Sequence, residues 1–166
     1  MNIILDACTA INLVNGDALG VAIGLPDCRF IIGPQSLDEC GSAKPMLQGL
    51  IDAGSLLLQE DNELSSSLFL ELLAQYSLGD GETETLTFSK MFGYTICTDD
   101  KKARHVANQM FGADRVTGSL GLLRRAVQQG MVTPNDAHAA YKKMISAGAF
   151  VPDIPLTFFN GSLGTA

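Results

Sequence analysis

Short apolar runs alternate along the chain with longer segments of helical periodicity. Runs of three to five apolar residues without polar alternation are typical of parallel strands that are covered on both faces. This pattern predicts strands at Asn2–Leu5, Arg29–Ile32, 55–58, 94–97 and 115–116.

Helical periodicity predicts helices between these strands. The clearest helix covers residues 62–76, where Leu64, Leu68 and Leu72 share one face. Thr133 followed by Pro134 is a typical helix start. The remaining helices are predicted at residues 7–14, 18–24, 44–53, 82–92, 100–111, 120–129 and 133–146, with a further one beginning at Ser36.

Strands that alternate with helices indicate an α/β fold with a mainly parallel sheet. A chain of 166 residues can bury a core as one domain, which we place at residues 1–159, with a flexible tail at 160–166. Hydrophobic residues make up 46% of the chain and charged residues 17%, as in a compact soluble protein. No apolar run approaches the roughly 20 residues that span a bilayer.

The four cysteines show no Cys-x-x-Cys spacing, so neither a zinc site nor a disulfide framework is indicated. The N-terminal residues MNIILDAC lack the basic region of a secretory signal. We therefore expect free thiols and a cytoplasmic location.

Charge is divided unevenly along the chain. Residues 1–100 carry three basic and fifteen acidic side chains, whereas residues 101–166 carry eight basic and three acidic ones. The change comes at Asp100, because Lys101, Lys102 and Arg104 follow it directly. These cations are candidates for binding phosphate, although an ordinary solvated helix surface accounts for them equally well.

Carboxylates cluster at positions that the fold brings together. Asp6 ends the first predicted strand, and Asp99 and Asp100 follow the fourth. Sites in such folds lie beyond the carboxyl ends of the strands, so these side chains are expected at one edge. Glu82 and Glu84 open a helix just before the fourth strand. Crowded carboxylates repel one another unless a cation binds them, which points to a metal site.

Each of these carboxylates also has an ordinary structural interpretation. Asp6 is placed to cap a helix, and Asp99 with Asp100 is placed to cap another. Glu39 has the spacing of a capping-box partner for Ser36. Glu82 lies in a first helical turn, where the helix dipole favours a negative charge.

Glu84 is harder to explain in this way. It lies four residues before Phe88 and therefore shares the apolar side of its helix, where a carboxylate needs a partner. An all-oxygen site of this kind suits Mg²⁺ or Mn²⁺, which promote phosphodiester hydrolysis. His105 and His138 are expected to lie outside the site. The chain has no phosphate-binding glycine-rich loop and no nucleophile elbow.

Five motifs in order give the chain a family resemblance. They are IILDACTAINL with Asp6, IGPQSLDEC with Glu39, GDGETETLTFS with Glu82 and Glu84, TICTDDKKAR with Thr98 to Arg104, and VTGSLGLLRRAVQQGMV. Over residues 1–159 the chain resembles PIN domains, the nuclease domains of VapC-type toxins, and is most similar to a prokaryotic branch of PIN-like nucleic-acid-binding proteins. Cys8 lies two residues after Asp6, at a position where PIN domains often have a small hydroxyl residue.

The resemblance implies a three-layer α/β/α sandwich with a PIN-like (Rossmann-like) sheet of four to five strands, and a Mg²⁺- or Mn²⁺-dependent ribonuclease. Asp6, Glu39, Glu84 and Asp100 are then the first-choice catalytic metal ligands, supported by Glu82 and Asp99. Thr98 would hold the geometry of the site by hydrogen bonds. Lys101, Lys102 and Arg104 would contact RNA phosphates.

The resemblance also implies a homodimer, sometimes paired with an antitoxin protein. Two other functions stay open. One is a non-catalytic PIN-like module that binds nucleic acid or protein, in which the acids are helix caps. The other is a small-molecule phosphatase on a similar sheet, which is the weaker alternative because the chain has no motif for a small ligand.

Overall fold

The computed structural model describes residues 1–160 and contains a five-stranded, fully parallel sheet. The strands are β1 (Asn2–Leu5), β2 (Arg29–Ile32), β3 (Leu57–Leu58), β4 (Thr95–Cys97) and β5 (Val116–Thr117). Their order in the sheet is β3-β2-β1-β4-β5, so β1 lies at the centre. The register pairs Ile4 of β1 with Ile31 of β2 and with Ile96 of β4.

Helices connect successive strands and cover both faces of the sheet. They are α1 (Ala7–Asn15), α2 (Leu19–Ile23), α3 (Pro34–Asp38), α4 (Lys44–Asp52), α5 (Ser66–Tyr76), α6 (Asp80–Phe92), α7 (Lys101–Phe111), α8 (Ser119–Gln128) and α9 (Pro134–Ser146). Short 3-10 turns lie at Gly41–Ala43, Asp61–Glu63, Ala113–Arg115 and Leu156–Phe159.

Two apolar cores lie on opposite faces of the sheet, because successive side chains of a strand point to opposite sides. Ile3 and Leu5 of β1 face one core, which α1, α8 and α9 cover. Ile4 faces the other core, where Leu72 of α5 and Phe88 of α6 pack. The three-layer α/β/α sandwich with a parallel sheet, as expected from the sequence, is confirmed.

Several element boundaries differ from the prediction. The helix predicted to start at Ser36 begins at Pro34, with Gly33 as its N-cap. Proline suits this first position because its fixed φ fits a helix and its missing N–H is not needed there. The helix predicted from residue 62 begins at Ser66, because the Ser65 hydroxyl caps it and a 3-10 turn precedes it. Strand β3 begins at Leu57 and not at residue 55, so it is shorter than predicted. Strand β5 is shifted by one residue toward the C-terminus.

The four cysteines, Cys8, Cys28, Cys40 and Cys97, are all free thiols, as predicted. Within residues 1–160, no helix combines the length and the apolar composition that crossing a bilayer requires. Of the predicted tail, Asn160 is an exposed turn residue and residues 161–166 lie outside the described part of the chain.

Candidate active site at the carboxyl edge of the sheet

Asp6 lies at the centre of the edge where the parallel strands end. It follows β1 and caps α1, and its Oδ1 accepts the Ala7 N–H at 2.8 Å. Its Oδ2 accepts the Thr98 hydroxyl at 2.7 Å and the Cys8 thiol at 2.9 Å. Burial raises the pKa of Asp6, these hydrogen bonds oppose the rise, and the charge of Glu39 adds to it.

Thr98 joins the ends of β1 and β4. Its buried hydroxyl donates to Asp6 and accepts the Asp100 N–H at 3.1 Å. Asp100 in turn caps α7, because its Oδ1 accepts the Ala103 N–H at 2.7 Å. The hydrogen bonds expected of Thr98 are therefore present.

Glu39 and Glu82 meet the same edge from α3 and α6. The Oε1 of Glu39 accepts the Gly81 N–H at 3.1 Å, and the Oε2 of Glu82 accepts the Gly79 N–H at 3.0 Å. Burial raises the pKa of Glu82, and the charges of Asp100, Asp6 and Glu39 raise it further. Glu82 therefore lies near enough to these three carboxylates for their charges to act on it.

Glu84 points away from that region and into the start of α3. Its Oε1 accepts the Gln35 N–H at 3.0 Å, and its Oε2 accepts the Ser36 N–H at 3.1 Å. Both carboxylate oxygens are thus occupied by backbone donors that α3 leaves unpaired at its N-terminus. The side chain is fully buried, and burial raises its pKa to about 7 against the opposing effect of these two hydrogen bonds.

Helices α3 and α6 therefore exchange glutamates. Glu84 of α6 caps α3, while Glu39 at the end of α3 binds a backbone N–H at the start of α6. Glycine makes both approaches feasible, because a Cβ on Gly33 would lie 2.0 Å from a Glu84 oxygen and one on Gly81 would lie 2.6 Å from a Glu39 oxygen. The Ser36 hydroxyl adds a hydrogen bond to the Gly81 carbonyl at 3.2 Å.

Asp99 plays a similar part at α8. Its Oδ1 accepts the Ser119 N–H at 2.9 Å, and its Oδ2 accepts the Asn12 side-chain amide at 2.8 Å. The Arg104 guanidinium lies 4.0 Å from the same carboxylate. Asp99 thus ties α1, α7 and α8 together, and both of its oxygens are engaged.

The three cations predicted to bind RNA have different surroundings. The Nη2 of Arg104 donates to the Thr98 and Thr117 carbonyls at 2.6 and 2.9 Å, so it joins the ends of β4 and β5. The Lys102 ammonium donates to the Ser77 carbonyl at 2.6 Å. Lys101 is exposed and has no hydrogen-bond or ion-pair partner within residues 1–160.

Comparison with known protein families shows to which family the chain belongs. The family model described as DUF3368: PIN domain matches residues 2–157, almost the whole sequence. The chain is a member of the PIN domain family. PIN domains are in general nucleases, bind nucleic acid and usually employ divalent metal ions. Neither the curated proteins nor the solved structures contain a match to this chain.

The predicted site residues of this PIN domain fall into two groups. Glu39, Glu82 and Asp100 each have one oxygen hydrogen-bonded within residues 1–160 and face the region around Asp6. Glu84 and Asp99 have both oxygens bound by other groups. In the described part of the chain, no three acidic, histidine or cysteine side chains stand close enough to hold a metal ion as they are. The donor set is all oxygen, which fits Mg²⁺ or Mn²⁺ in chemical type.

The structure also contains the helix caps that the sequence suggested, with one exception. Asp6 and Asp100 cap α1 and α7, and Glu82 forms a capping box with Gly79. The capping box of Ser36 with Glu39 is wrong, because Ser36 lies inside α3 and its hydroxyl contacts α6. Capping engages one oxygen of Asp100 and one of Glu82, so it does not exclude a second role for these two acids.

Sequence reasoning missed the supporting parts played by Cys8, Asn12 and Gly33. The Cys8 thiol donates to Asp6 and accepts the Asp99 N–H at 3.3 Å, so it makes the hydrogen bonds expected of a hydroxyl at this position. A signal for Asn12 was its interruption of the apolar face of α1. Gly33 gave no signal, because its partner Glu84 is 51 residues away in the sequence.

We expect Gly33→Ala to destabilise the protein. The new methyl group would displace the Glu84 carboxylate, and a buried charged group that loses its donors costs about 1–3 kcal/mol or more. The matched control is Gly49→Ala within α4, where a Cβ meets nothing within 4 Å. Replacing a helical glycine by alanine there should stabilise by up to about 1 kcal/mol. Urea unfolding at pH 8 measures both, and an unchanged midpoint for Gly33→Ala would contradict the close approach.

Glu84 should also make stability depend on pH. Its pKa is raised in the folded state to about 7, so the folded protein binds more protons than the unfolded one between pH 4.5 and 7. The free energy of unfolding of the wild type should therefore fall across this window, by an order of 2–3 kcal/mol relative to Glu84→Gln. Urea titrations of both proteins from pH 5 to 8 measure the difference, and parallel curves would refute the raised pKa.

Proposed function

We propose that this PIN domain is a Mg²⁺- or Mn²⁺-dependent ribonuclease. The observation that carries the proposal is the buried Asp6, which Thr98 links to Asp100 at the carboxyl edge of the sheet. Glu82 lies near enough for the charges of Asp6, Glu39 and Asp100 to raise its pKa. A protein gains no stability from crowding like charges, so their gathering is explained best by a cation. Membership of the PIN family supports the same activity.

The proposal assigns the metal to Asp6, Glu39, Glu82 and Asp100. Glu84, which the sequence alone ranks above Glu82, becomes a positioning residue because both of its oxygens are bound by α3. By holding the start of α3, Glu84 fixes the helix from which Glu39 projects. Asp99 likewise becomes a positioning residue, because Asn12 and Ser119 bind its two oxygens.

A bound divalent cation in such a site supplies an activated water and stabilises charge on the phosphodiester. The protein's own groups orient that chemistry. Thr98 and Cys8 donate to Asp6, which favours its ionised form against the effect of burial on its pKa and holds the carboxylate in a fixed orientation for metal binding. Lys101 stands beside Asp100 and is free to bind a substrate phosphate.

RNA as the substrate, the antitoxin partner, the homodimer and the cytoplasmic location stay predictions from the resemblance and the composition. A non-catalytic PIN-like module is the second candidate. The specific observation in its favour is that each acid caps or braces a helix, while within residues 1–160 no three acidic side chains stand in a ligating arrangement. Metal binding and cleavage distinguish the two.

We expect Mn²⁺ to stabilise the wild type and not Asp6→Asn. A ligand that binds only the folded state adds roughly 2.7 kcal/mol at about 100 times its dissociation constant. Asp114→Asn is the control, because it removes one exposed acid far from Asp6. Differential scanning calorimetry with and without Mn²⁺ measures the shift. Equal shifts in wild type and Asp6→Asn would remove Asp6 from the site.

Cleavage separates the two groups of acids. Glu82→Gln should abolish cleavage of a labelled single-stranded RNA in Mn²⁺ and leave RNA binding intact or stronger, since a negative charge near phosphate is lost. Glu84→Gln should retain more activity, with a loss of about 10–100-fold as expected for an outer-shell partner. Cleavage that persists in EDTA would exclude the metal mechanism. RNA binding without cleavage in Mg²⁺ or Mn²⁺ would favour the non-catalytic module.

A further inference from the structure

A cavity of about 690 Å³ opens beside the acidic edge. Its walls come from the end of β5, the start of α8 and the segment that follows α9. The lining is mostly apolar, with Val116, Leu120, Val151 and Phe158 among its members. Lys101 and Arg104 of α7 stand at its charged side. A concave apolar surface with a few polar groups at one side is typical of a ligand site.

Phe150 stands at the mouth of this cavity with 97% of its surface exposed. The other large apolar side chains of residues 1–160 are less exposed than Phe150. The next most exposed is Leu70, at 61%. An aromatic ring held in water gains nothing for folding. It offers both faces to a flat ligand.

The cavity adjoins the proposed catalytic region, because it shares lining residues with a concavity there. A second, smaller concavity of about 330 Å³ is lined by Cys8, Asp100 and Ala149, and it shares Asp99, Lys101 and Phe150 with the first. Phe150 and Lys101 therefore border both spaces. A strand whose phosphate lies at Asp100 would pass Lys101 and meet Phe150 next.

We propose that this cavity receives an unpaired nucleobase of the RNA strand, stacked on Phe150, with the adjoining phosphate bound by Lys101. The inference rests on the proposed function, since it takes the scissile phosphate to lie at the acids. It adds a subsite that selects single-stranded over duplex RNA, because a base in a duplex has no free face. Stacking of this kind tolerates different bases.

Charge and shape favour a nucleic acid over a protein partner here. The cationic side of the cavity, Lys101 with Arg104, complements a phosphate backbone. Two acids line these spaces: Asp99, whose carboxylate lies 4.0 Å from the Arg104 guanidinium, and Asp100, which the proposal gives to the metal. A single exposed ring beside a cavity matches one base, whereas a docked helix needs an apolar row three and four residues apart.

The test measures binding of a short single-stranded RNA carrying 2-aminopurine, in EDTA so that binding is separated from cleavage. Stacking on Phe150 should quench the probe in the wild type. Phe150→Ala should weaken binding about 5- to 150-fold and abolish the quenching. Phe150→Trp should restore both, and Phe150→Leu should not, because leucine offers an apolar surface without a ring. In Mn²⁺, Phe150→Ala should raise KM and leave kcat nearly unchanged.

Phe92→Ala is the matched control, since Phe92 is an exposed aromatic residue at the end of α6, by the opposite edge of the sheet. It should bind the RNA as the wild type does. Equal affinity of wild type and Phe150→Ala, or rescue by leucine, would overturn the base subsite while Mn²⁺-dependent cleavage kept the nuclease proposal intact. Phe150-dependent quenching without cleavage would uphold the subsite and refute the nuclease. A wild type that binds no RNA would refute both.

Discussion

A carboxylate that leaves water needs replacement donors, and at this edge of the sheet the N-termini of helices supply them. Asp6, Asp100 and Asp99 bind amides at the starts of α1, α7 and α8, and the two glutamates exchanged between α3 and α6 do the same for those helices. The helices that follow parallel strands begin at the carboxyl edge, so their positive ends converge there. The fold itself therefore creates the environment in which so many acids can stand together.

In this arrangement one carboxylate can cap a helix and still have an oxygen that could bind a metal ion. An N-cap needs one carboxylate oxygen, and the geometry it imposes holds the other oxygen in a fixed direction. Glu39 and Asp100 are of this kind, since one oxygen of each is bound to a backbone N–H. Both oxygens of Glu84 are bound to backbone N–H groups of α3, so the proposal gives it the role of holding that helix. Asp6 differs from both, because its two oxygens also accept hydrogen bonds, and its assignment rests on its place at the centre of the edge.

The sequence predicted the strands that carry Asp6 and Asp99, because short apolar runs and the acids that end them are local features. It predicted the common edge from the rule for parallel sheets. It ranked Glu84 above Glu82 because Glu84 shares the apolar side of α6, but the partner of Glu84 is the start of α3, which no local pattern reveals. The predicted start of α3 was also wrong. Its first N–H groups donate to Glu84, about 50 residues along the chain, and no local spacing reveals that contact.

The exchange of glutamates between α3 and α6 links four positions, Gly33, Glu39, Gly81 and Glu84, into one unit. Each helix start donates a hydrogen bond to an acid of the other helix, and a side chain on either glycine would displace the facing carboxylate. A designer who transfers this site to another scaffold must move all four together. Over generations, a substitution at one of the glycines would be accepted most easily when the facing glutamate changes with it.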